Sequence, residues 1–367
     1  MIKKTKFDSF CVTGFAEGCK SCVQGKKLVL FISGKCSRNC WYCSLSNKRK
    51  NVDKIWANER ECKNIKEMIE EGVASQSKGA GVTGGDPLLC LSRTIKFIKA
   101  LKTKFGKQFH IHIYVSTDLV TEEKLRKLKF AGVDEIRFHP RFLDGDINKE
   151  VDKIKLASKF WKKQHIGIEL PMFPGKIKET FSVIKAVSSF IGFVNLNELE
   201  ISDTNFDYMT KRTKTKKVFG APKNPVFRAK YKINEDTYTI KGSKEAGLAI
   251  LKECEKAELK LRVHFCTART KNLFQYKNRL KLRKILPFGF KTKEGSVKYF
   301  VIYNKDIGNK SRGMLLRNFK KQIYVDNKNK RLILSEKAAN QIIGKAKIKR
   351  VEEMPTWDAF QISSEEV

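Results

Sequence analysis

The chain has 367 residues, of which 41% are hydrophobic, and its 76 Lys and Arg against 39 Asp and Glu give a formal net charge of +37 at pH 7. This apolar fraction is sufficient for a hydrophobic core and argues against a disordered chain, while no apolar run reaches the roughly 18 residues of a membrane span. The basic start of the sequence lacks the apolar segment of a secretory signal, so we expect a cytoplasmic protein without membrane association.

The N-terminal segment, residues 1–25, is rich in cysteine. Six of the ten cysteines of the chain lie within its first 43 residues. In a long cytosolic chain, clustered cysteines bind a metal or a cluster more often than they form disulfides.

Strand and helix patterns alternate regularly after this segment. The predicted strands lie at 27–33, 79–83, 109–116, 133–139, 165–170 and 194–202. The predicted helices lie at 58–76, 91–105, 121–130, 147–163 and 176–190. Such βα repeats are typical of a parallel sheet. We therefore expect an α/β core over 26–207 that forms a partial (βα)6 TIM-type barrel, with an open doubly wound sheet as the alternative.

The pattern changes after the sixth strand. Residues 208–234 carry nine Lys and Arg and no acid, which predicts a basic loop. A helix at about 243–257 and a strand at 259–266 follow, and these either extend the barrel or cover its edge. Residues 268–293 are again basic, and together 208–294 form the third part of the chain. Short strand patterns from about 295 predict a small β-rich C-terminal unit over 295–367.

Three cysteines after the first strand carry the clearest chemical signal. Cys36, Cys40 and Cys43 have the spacing C-x3-C-x2-C. Three thiolates on one loop can hold three irons of a [4Fe–4S] cube and leave the fourth iron open to a small molecule. A four-cysteine zinc ribbon usually has two C-x2-C pairs instead.

A glycine-rich segment follows the second predicted strand. It reads Gly84-Gly85-Asp86-Pro87, and its glycines let the backbone approach a ligand closely. With the three cysteines and the aromatic Tyr42 before the last of them, this segment resembles the radical SAM superfamily over about residues 25–205. Within the superfamily the chain resembles archaeal proteins related to pyruvate formate-lyase activating enzymes. The family segment is usually Gly-Gly-Glu-Pro and contacts the amino group of S-adenosylmethionine, whereas Asp86 replaces the Glu here.

The resemblance implies an enzyme. A [4Fe–4S] cluster at the three cysteines would bind S-adenosylmethionine (SAM). One electron, from a donor such as ferredoxin or flavodoxin, would cleave it to a 5′-deoxyadenosyl radical that abstracts hydrogen from a substrate. The implied cofactor-binding residues are Tyr42, Gly84, Gly85, Asp86, Pro87, Ser116, Asp118 and Ser202. The last three end predicted strands, and helix caps or solvated turns are the alternative for them.

The remaining cysteines suggest a second metal site. Cys11, Cys19, Cys22 and Cys266 could bind zinc or an auxiliary [4Fe–4S] cluster, and His264 could replace one of them because it shares a strand face with Cys266. Free N-terminal thiols and a lone buried Cys266 are the alternative. Three further cysteines lie in helical patterns and are expected to pack in the interior: Cys62, Cys90 and Cys254.

The substrate stays open at this point. The charge of +37 and the two basic stretches favour RNA, as in tRNA modification. A lysine-rich composition without a nucleic-acid partner explains the charge equally well. The family resemblance favours the activation or modification of a protein or peptide. A non-catalytic iron–sulfur or zinc protein that binds RNA is less favoured, because a structural cluster needs no glycine-lined cofactor site.

Overall fold

A computed structural model of the chain describes residues 1–210, 231–234 and 238–367. Most of the predicted basic loop at 208–234 lies outside the described residues. The chain divides into two compact units. The first comprises Met1–Val73 and Ser77–Tyr276, and the second comprises Ala74–Gln76 and Lys277–Val367.

The first unit alternates strands and helices. Its strands are β1 (Lys3–Lys4), β2 (Phe10–Val12), β3 (Lys27–Phe31), β4 (Ile55–Ala57), β5 (Arg60–Cys62), β6 (Gly79–Thr83), β7 (His110–Ser116), β8 (Glu135–His139), β9 (Ile166–Met172), β10 (Phe193–Glu198), β11 (Ile233–Asn234), β12 (Thr239–Ile240) and β13 (Arg262–Cys266). Its α-helices are α1 (Glu17–Cys22), α2 (Ile65–Ala74), α3 (Leu91–Phe105), α4 (Glu122–Ala131), α5 (Ile147–Lys155), α6 (Ile177–Val187), α7 (Phe206–Thr210) and α8 (Ser243–Lys256). Short 3-10 helices cover Leu156–Lys159 and Lys163–His165, and a π-helix covers Thr270–Tyr276.

One eleven-stranded sheet organises this unit, in the order β1-β2-β13-β10-β9-β8-β7-β6-β3-β4-β5. Seven neighbouring strands from β13 to β3 are parallel, and they include all six strands predicted for the core. The strand predicted at 259–266 extends the sheet, because β13 pairs in parallel with β10. The described sheet is therefore α/β and mostly parallel.

The helix predicted at 58–76 is wrong in its first part. Residues 55–62 form the β4–β5 hairpin instead, and α2 begins only at Ile65. Asn58 takes a positive φ of 53° at the turn, a conformation that Asn tolerates. Its side-chain oxygen accepts a hydrogen bond from the Val29 amide at 3.0 Å, which fixes the hairpin to β3.

The two faces of the parallel strands differ in chemistry. Alternate residues such as Ile111, Ile113 and Val115 belong to the main hydrophobic core. The residues between them are polar, and Glu135 and Arg137 are buried among them. No described helix combines the length and the hydropathy that a membrane span requires.

The second unit is built on a smaller sheet. Its strands are β14 (Phe290–Lys291), β15 (Val297–Tyr303), β16 (Ile323–Asp326), β17 (Arg331–Leu334), β18 (Lys349–Glu353) and β19 (Gln361–Glu366). Its α-helices are α9 (Lys277–Leu282), α10 (Asn309–Asn318) and α11 (Glu336–Ile342). The strand order is β16-β17-β15-β18-β19, with β14 on β15. Buried Arg331 donates to Asp326 at 2.9 Å and to both Glu353 oxygens at 2.8 and 2.9 Å.

Candidate active site

A cavity of about 430 Å³ lies where the parallel strands of the first unit end. Cys36, Cys40 and Cys43 line it, and so do Gly84 and Gly85. Residues at the ends of β7, β8, β9 and β10 complete the wall. In parallel α/β folds the carboxyl ends of the strands are the usual place for a ligand.

The three cysteines sit on an irregular loop between β3 and β4. All three are partly exposed. The Cys43 amide donates to the Cys40 carbonyl at 3.1 Å, and the Arg38 amide donates to the Cys36 sulfur at 3.3 Å. Burial raises the pKa of Cys36 to about 11 and also raises that of Cys40. These thiols therefore become good ligands when a metal takes the place of the proton.

Arg38, which lies between the first two cysteines, ties the loop to the strand ends. Its guanidinium donates to both Asp118 oxygens at 2.9 and 2.7 Å, to Thr117 Oγ1 at 2.7 Å and to the His139 carbonyl at 2.6 Å. Asp118, predicted to bind the cofactor, is thus the ion-pair partner of Arg38. Hydrogen bonds from Arg38 lower the pKa of Asp118.

Tyr42 forms a second tie. Burial lowers the pKa of His139 to about 4, so its ring is neutral at pH 7. His139 Nδ1 lies 3.0 Å from the Glu169 carbonyl and therefore donates to it, which leaves Nε2 as an acceptor. The Tyr42 hydroxyl donates to this Nε2 at 2.8 Å. The aromatic residue of the motif is thus anchored to β8 and β9.

Polar side chains after β10 hold the backbone of the same loop. Thr204 Oγ1 donates to the Cys43 carbonyl at 3.0 Å, and Asn205 Nδ2 donates to the Tyr42 carbonyl at 3.1 Å. Ser202, also predicted to bind the cofactor, lies 3.5 Å from the Cys43 carbonyl. These contacts place Ser202 beside the cysteine loop.

The glycine segment packs directly on the start of this loop. A Cβ at Gly84 would overlap the Ser33 carbonyl oxygen, and one at Gly85 would overlap the Lys35 carbonyl oxygen. Gly84 also has a φ of +155°, close to extended. Glycine is therefore required here by the close approach of two backbones.

Asp86 turns away from the cavity. Its carboxylate is 1% exposed and accepts hydrogen bonds from the Leu88 amide at 2.9 Å and from Ser116 Oγ. Burial raises the pKa of Asp86, although the Ser116 bond opposes this. Ser116 itself lines the cavity, while Pro87 is buried behind it. In this structure Gly84, Gly85 and Ser116 are thus the predicted cofactor residues of this region that reach the cavity.

The wall of the cavity opposite the loop is polar and charged. Glu169 accepts from Asn197 at 2.8 Å, from Asn195 at 3.1 Å and from Arg137 at 3.3 Å. Arg137 is 2% exposed and also donates to Glu135 at 2.8 Å. The sequence pattern favoured a site contact for Arg137, and the structure places it behind Glu169.

Lys271 completes this wall. It donates to Glu200 at 2.6 Å, and both residues line the cavity. Burial works against the charged ammonium, but the neighbouring Glu200 outweighs it and raises the pKa of Lys271. Sequence analysis placed Lys271 only in a basic stretch. Its approach to the site depends on the parallel pairing of β13 with β10, which no local pattern reveals.

The second group of cysteines lies on other elements. Cys19 and Cys22 are on α1, Cys266 ends β13, and Cys11 lies on β2 opposite His264. Cys11, Cys19 and Cys266 are buried, and Cys22 is half-buried. Within the described residues, no three His, Cys, Asp or Glu side chains are gathered closely enough to hold a metal ion.

Comparisons with known proteins agree with the cysteine motif. The radical SAM superfamily profile matches residues 30–175. A Methanocaldococcus jannaschii protein, provisionally named a glycyl-radical enzyme activating enzyme, is 41% identical over 270 residues, which are 72% of this chain and 66% of that protein. The chain thus spans just under two thirds of this relative. A Methanococcus aeolicus protein, provisionally named GTP 3′,8-cyclase, is 27% identical over 128 residues, or 34% of this chain and 40% of that protein.

Solved structures show weaker similarity. A radical S-adenosylmethionine methyltransferase from Kitasatospora setae gives a TM-score of 0.37 at 12% identity, covering 52% of this chain and 40% of that one. Coproporphyrinogen III oxidase from Escherichia coli gives 0.31 at 13% identity, covering 50% and 47%. The profile match and the 41% identical relative carry the assignment. The chain belongs to the radical SAM superfamily of enzymes.

Proposed function

We propose that the protein reductively cleaves SAM in the cavity and uses the resulting 5′-deoxyadenosyl radical to abstract hydrogen from a substrate. The observation that supports this most directly is the meeting of Cys36, Cys40 and Cys43 with Gly84 and Gly85 at one cavity. A [4Fe–4S] cluster bound there would supply the electron, received from a donor such as ferredoxin or flavodoxin.

The residues of the cavity fit such a group. Three partly exposed thiols on one loop are the donor set for three irons, and a glycine backbone without side chains leaves room beside them. Arg38, Tyr42 and Asn205 hold the loop, so its thiols are positioned before any ligand arrives. In this proposal Ser116 orients the bound SAM, while Asp118 and Ser202 act through the cysteine loop.

The partial (βα)6 barrel is retained as a proposal. Six parallel strands follow one another in chain order from β3 to β10, and β13 continues the sheet without closing it onto β5. An opening at this edge would admit a large substrate. The zinc ion or second cluster at Cys11, Cys19, Cys22 and Cys266 is likewise a proposal, separate from this cavity.

We propose a protein or peptide as the first substrate class. A relative with 41% identity carries a name that assigns it to the activation of glycyl-radical enzymes. The polar wall of Glu169, Asn197, Glu200 and Lys271 offers hydrogen bonds that suit peptide groups. Membership of an enzyme superfamily counts against the non-catalytic RNA-binding alternative.

RNA is the second candidate. The net charge of +37 is the observation that favours it, because a basic surface attracts phosphate. Much of the basic stretch at 208–234 lies outside the described residues, and the comparisons name no RNA substrate. The charge therefore gives RNA its only support.

The test is anaerobic release of 5′-deoxyadenosine from SAM. Reconstituted full-length protein with a strong reductant should release it, and a Cys36→Ala/Cys40→Ala/Cys43→Ala variant should not. Cys90→Ala is the matched control, because Cys90 lies outside the loop and should leave release unchanged. Release that persists in the triple variant would refute the proposal.

Two additions to the same assay separate the substrate classes. Total RNA from the source organism should leave release unchanged if the substrate is a protein, whereas a cell protein fraction freed of nucleic acid should stimulate it. Stimulation by RNA that is lost after nuclease treatment would reject the protein proposal and favour RNA.

A further inference from the structure

A group of buried thiols and one imidazole lies on the polar face of the sheet, outside the lining of the large cavity. We propose that Cys19, Cys22, His264 and Cys266 form a second metal site for a thiophilic centre, either a zinc ion or an iron–sulfur cluster. The inference does not depend on SAM cleavage, because none of these residues belongs to the cysteine loop.

His264 provides the first observation. The residue is 2% exposed, and neither ring nitrogen has a hydrogen-bond partner among the described residues. The edge contact with Phe15, with ring centroids 4.6 Å apart, covers the ring but supplies no acceptor oxygen or nitrogen. Burial of an unpaired polar nitrogen is unfavourable. A metal bond at one nitrogen would compensate for this burial.

The sulfur atoms provide the second observation. Arg137 Nη2 lies 3.4 Å from the Cys19 sulfur, and Gln275 Nε2 lies 3.4 Å from the Cys266 sulfur. Donors of this kind stabilise negative charge on sulfur, which is the form that binds a metal. Two of the thiols are thus placed to bind a metal as thiolates.

Position in the fold brings the four side chains to one region. Cys19 and Cys22 are one helical turn apart on α1, and His264 and Cys266 share one face of β13. Cys19 also donates to Asn195 at 3.5 Å, and Asn195 is the strand partner of His264. The sulfurs of Cys19, Cys22 and Cys266 are near enough for their charges to influence one another.

The fourth ligand is assigned to His264 and not to Cys11. Cys11 lies opposite His264 on β2, but its sulfur accepts a hydrogen bond from the Gly14 amide in a local turn. His264 lies on the same strand face as Cys266 and has no competing partner among the described residues. Three thiolates with one imidazole are an established ligand set for zinc.

Metal binding requires the side chains to turn toward a common point. Cys22 has the most room for this movement, because it is half-buried at the last residue of α1. Arg137 and Glu135 hold the rest of the helix, since the Gly18 amide donates to Glu135 at 3.1 Å. A Cβ at Gly18 would lie 2.6 Å from His112 Nδ1, so the helix cannot shift easily.

The experiment uses the full chain with Cys36, Cys40 and Cys43 replaced by Ala, which removes the cluster loop as a source of bound iron. Zinc, iron and acid-labile sulfide are measured per chain, as purified and after anaerobic reconstitution. We expect about one zinc per chain, or about four irons with sulfide. The ratio distinguishes the ion from the cluster. Absence of both would overturn the proposal.

Variants in the same background test the ligands. Cys19→Ala, Cys266→Ala and His264→Phe should each lower bound metal at least fivefold, whereas Cys254→Ala, which removes a buried thiol elsewhere, should not. Cys11→Ala should also retain the metal. Loss of metal with Cys11→Ala and its retention with His264→Phe would overturn the assignment of His264.

X-ray absorption on the parent triple variant covers the case in which a ligand variant fails to fold. Scattering from three sulfurs and one nitrogen around zinc supports the site, and so does iron scattering from sulfur with a nitrogen shell. A metal surrounded only by oxygen and nitrogen would overturn the proposal. The outcome is independent of SAM cleavage, which is measured on the chain with the loop intact.

Discussion

Replacement of Arg38 by Met should loosen the cysteine loop while leaving its three thiols in place. The guanidinium side chain is 5% exposed, and it pairs with Asp118 at 2.7 Å and lies 3.8 Å from Glu150. Methionine fills similar space but makes none of these bonds. The two carboxylates then lose their cation.

The magnitude follows from the burial of the pair. Removal of one partner from a buried ion pair costs about 3–5 kcal/mol. Asp118 is 29% exposed and regains some hydration, whereas Glu150 is only 9% exposed. We therefore expect a loss of about 3 kcal/mol in the free energy of unfolding, near the lower end of that range.

Urea unfolding of the metal-free protein measures this loss, with iron content after reconstitution as a second readout. Arg141→Met is the matched control, because Arg141 pairs with Asp144 at 3.0 Å while 41% exposed. Such surface pairs contribute about 0–1 kcal/mol. Equal losses in the two variants, with equal iron content, would refute the role assigned to Arg38.

Three further changes test other parts of the structure. The native pKa of His139, about 4, lies below its unfolded value of 6.5, so its contribution to stability is complete above pH 6.5 and is lost as the pH falls toward 4; His139→Gln should flatten the urea-measured stability of the protein between these values by about 3 kcal/mol, and an unchanged slope would contradict this. Gly85→Ala should displace the Lys35 backbone and abolish release of 5′-deoxyadenosine, whereas Gly313→Ala, which meets open space, should not; equal activity would show that the close approach is not required. Arg331→Met should leave two buried carboxylates unpaired and lower thermal stability by about 3–5 kcal/mol, and a smaller loss than for an exposed arginine would reject that ion group as stabilising.

The core of the fold could be predicted because its signals are local. Alternating strands such as 109–116 and 133–139 appear as β7 and β8, and the C-x3-C-x2-C spacing identifies the superfamily. Each of these features is contained within one element or one loop. Their order along the chain also matches the order of the parallel strands.

The supports of the site could not be predicted because they depend on distant pairings. Arg38 meets Asp118 across 80 residues of sequence, and Thr204 meets Cys43 across 161. The β4–β5 hairpin was missed because Asn58 bonds to β3, which is not adjacent in sequence. The inward turn of Asp86 likewise depends on Ser116, thirty residues away.

These distant contacts explain how an irregular loop can hold three thiols in place. The loop has little regular structure of its own, so its shape depends on ties to the ends of four parallel strands. Arg38 reaches the ends of β7 and β8, Tyr42 reaches β8 and through it β9, and Asn205 follows β10. A shift in the register of any of these strands would move one tie relative to the others. The geometry of the cysteine site is therefore a property of the whole sheet, and variants that alter strand pairing far from the loop should change iron content as well as stability.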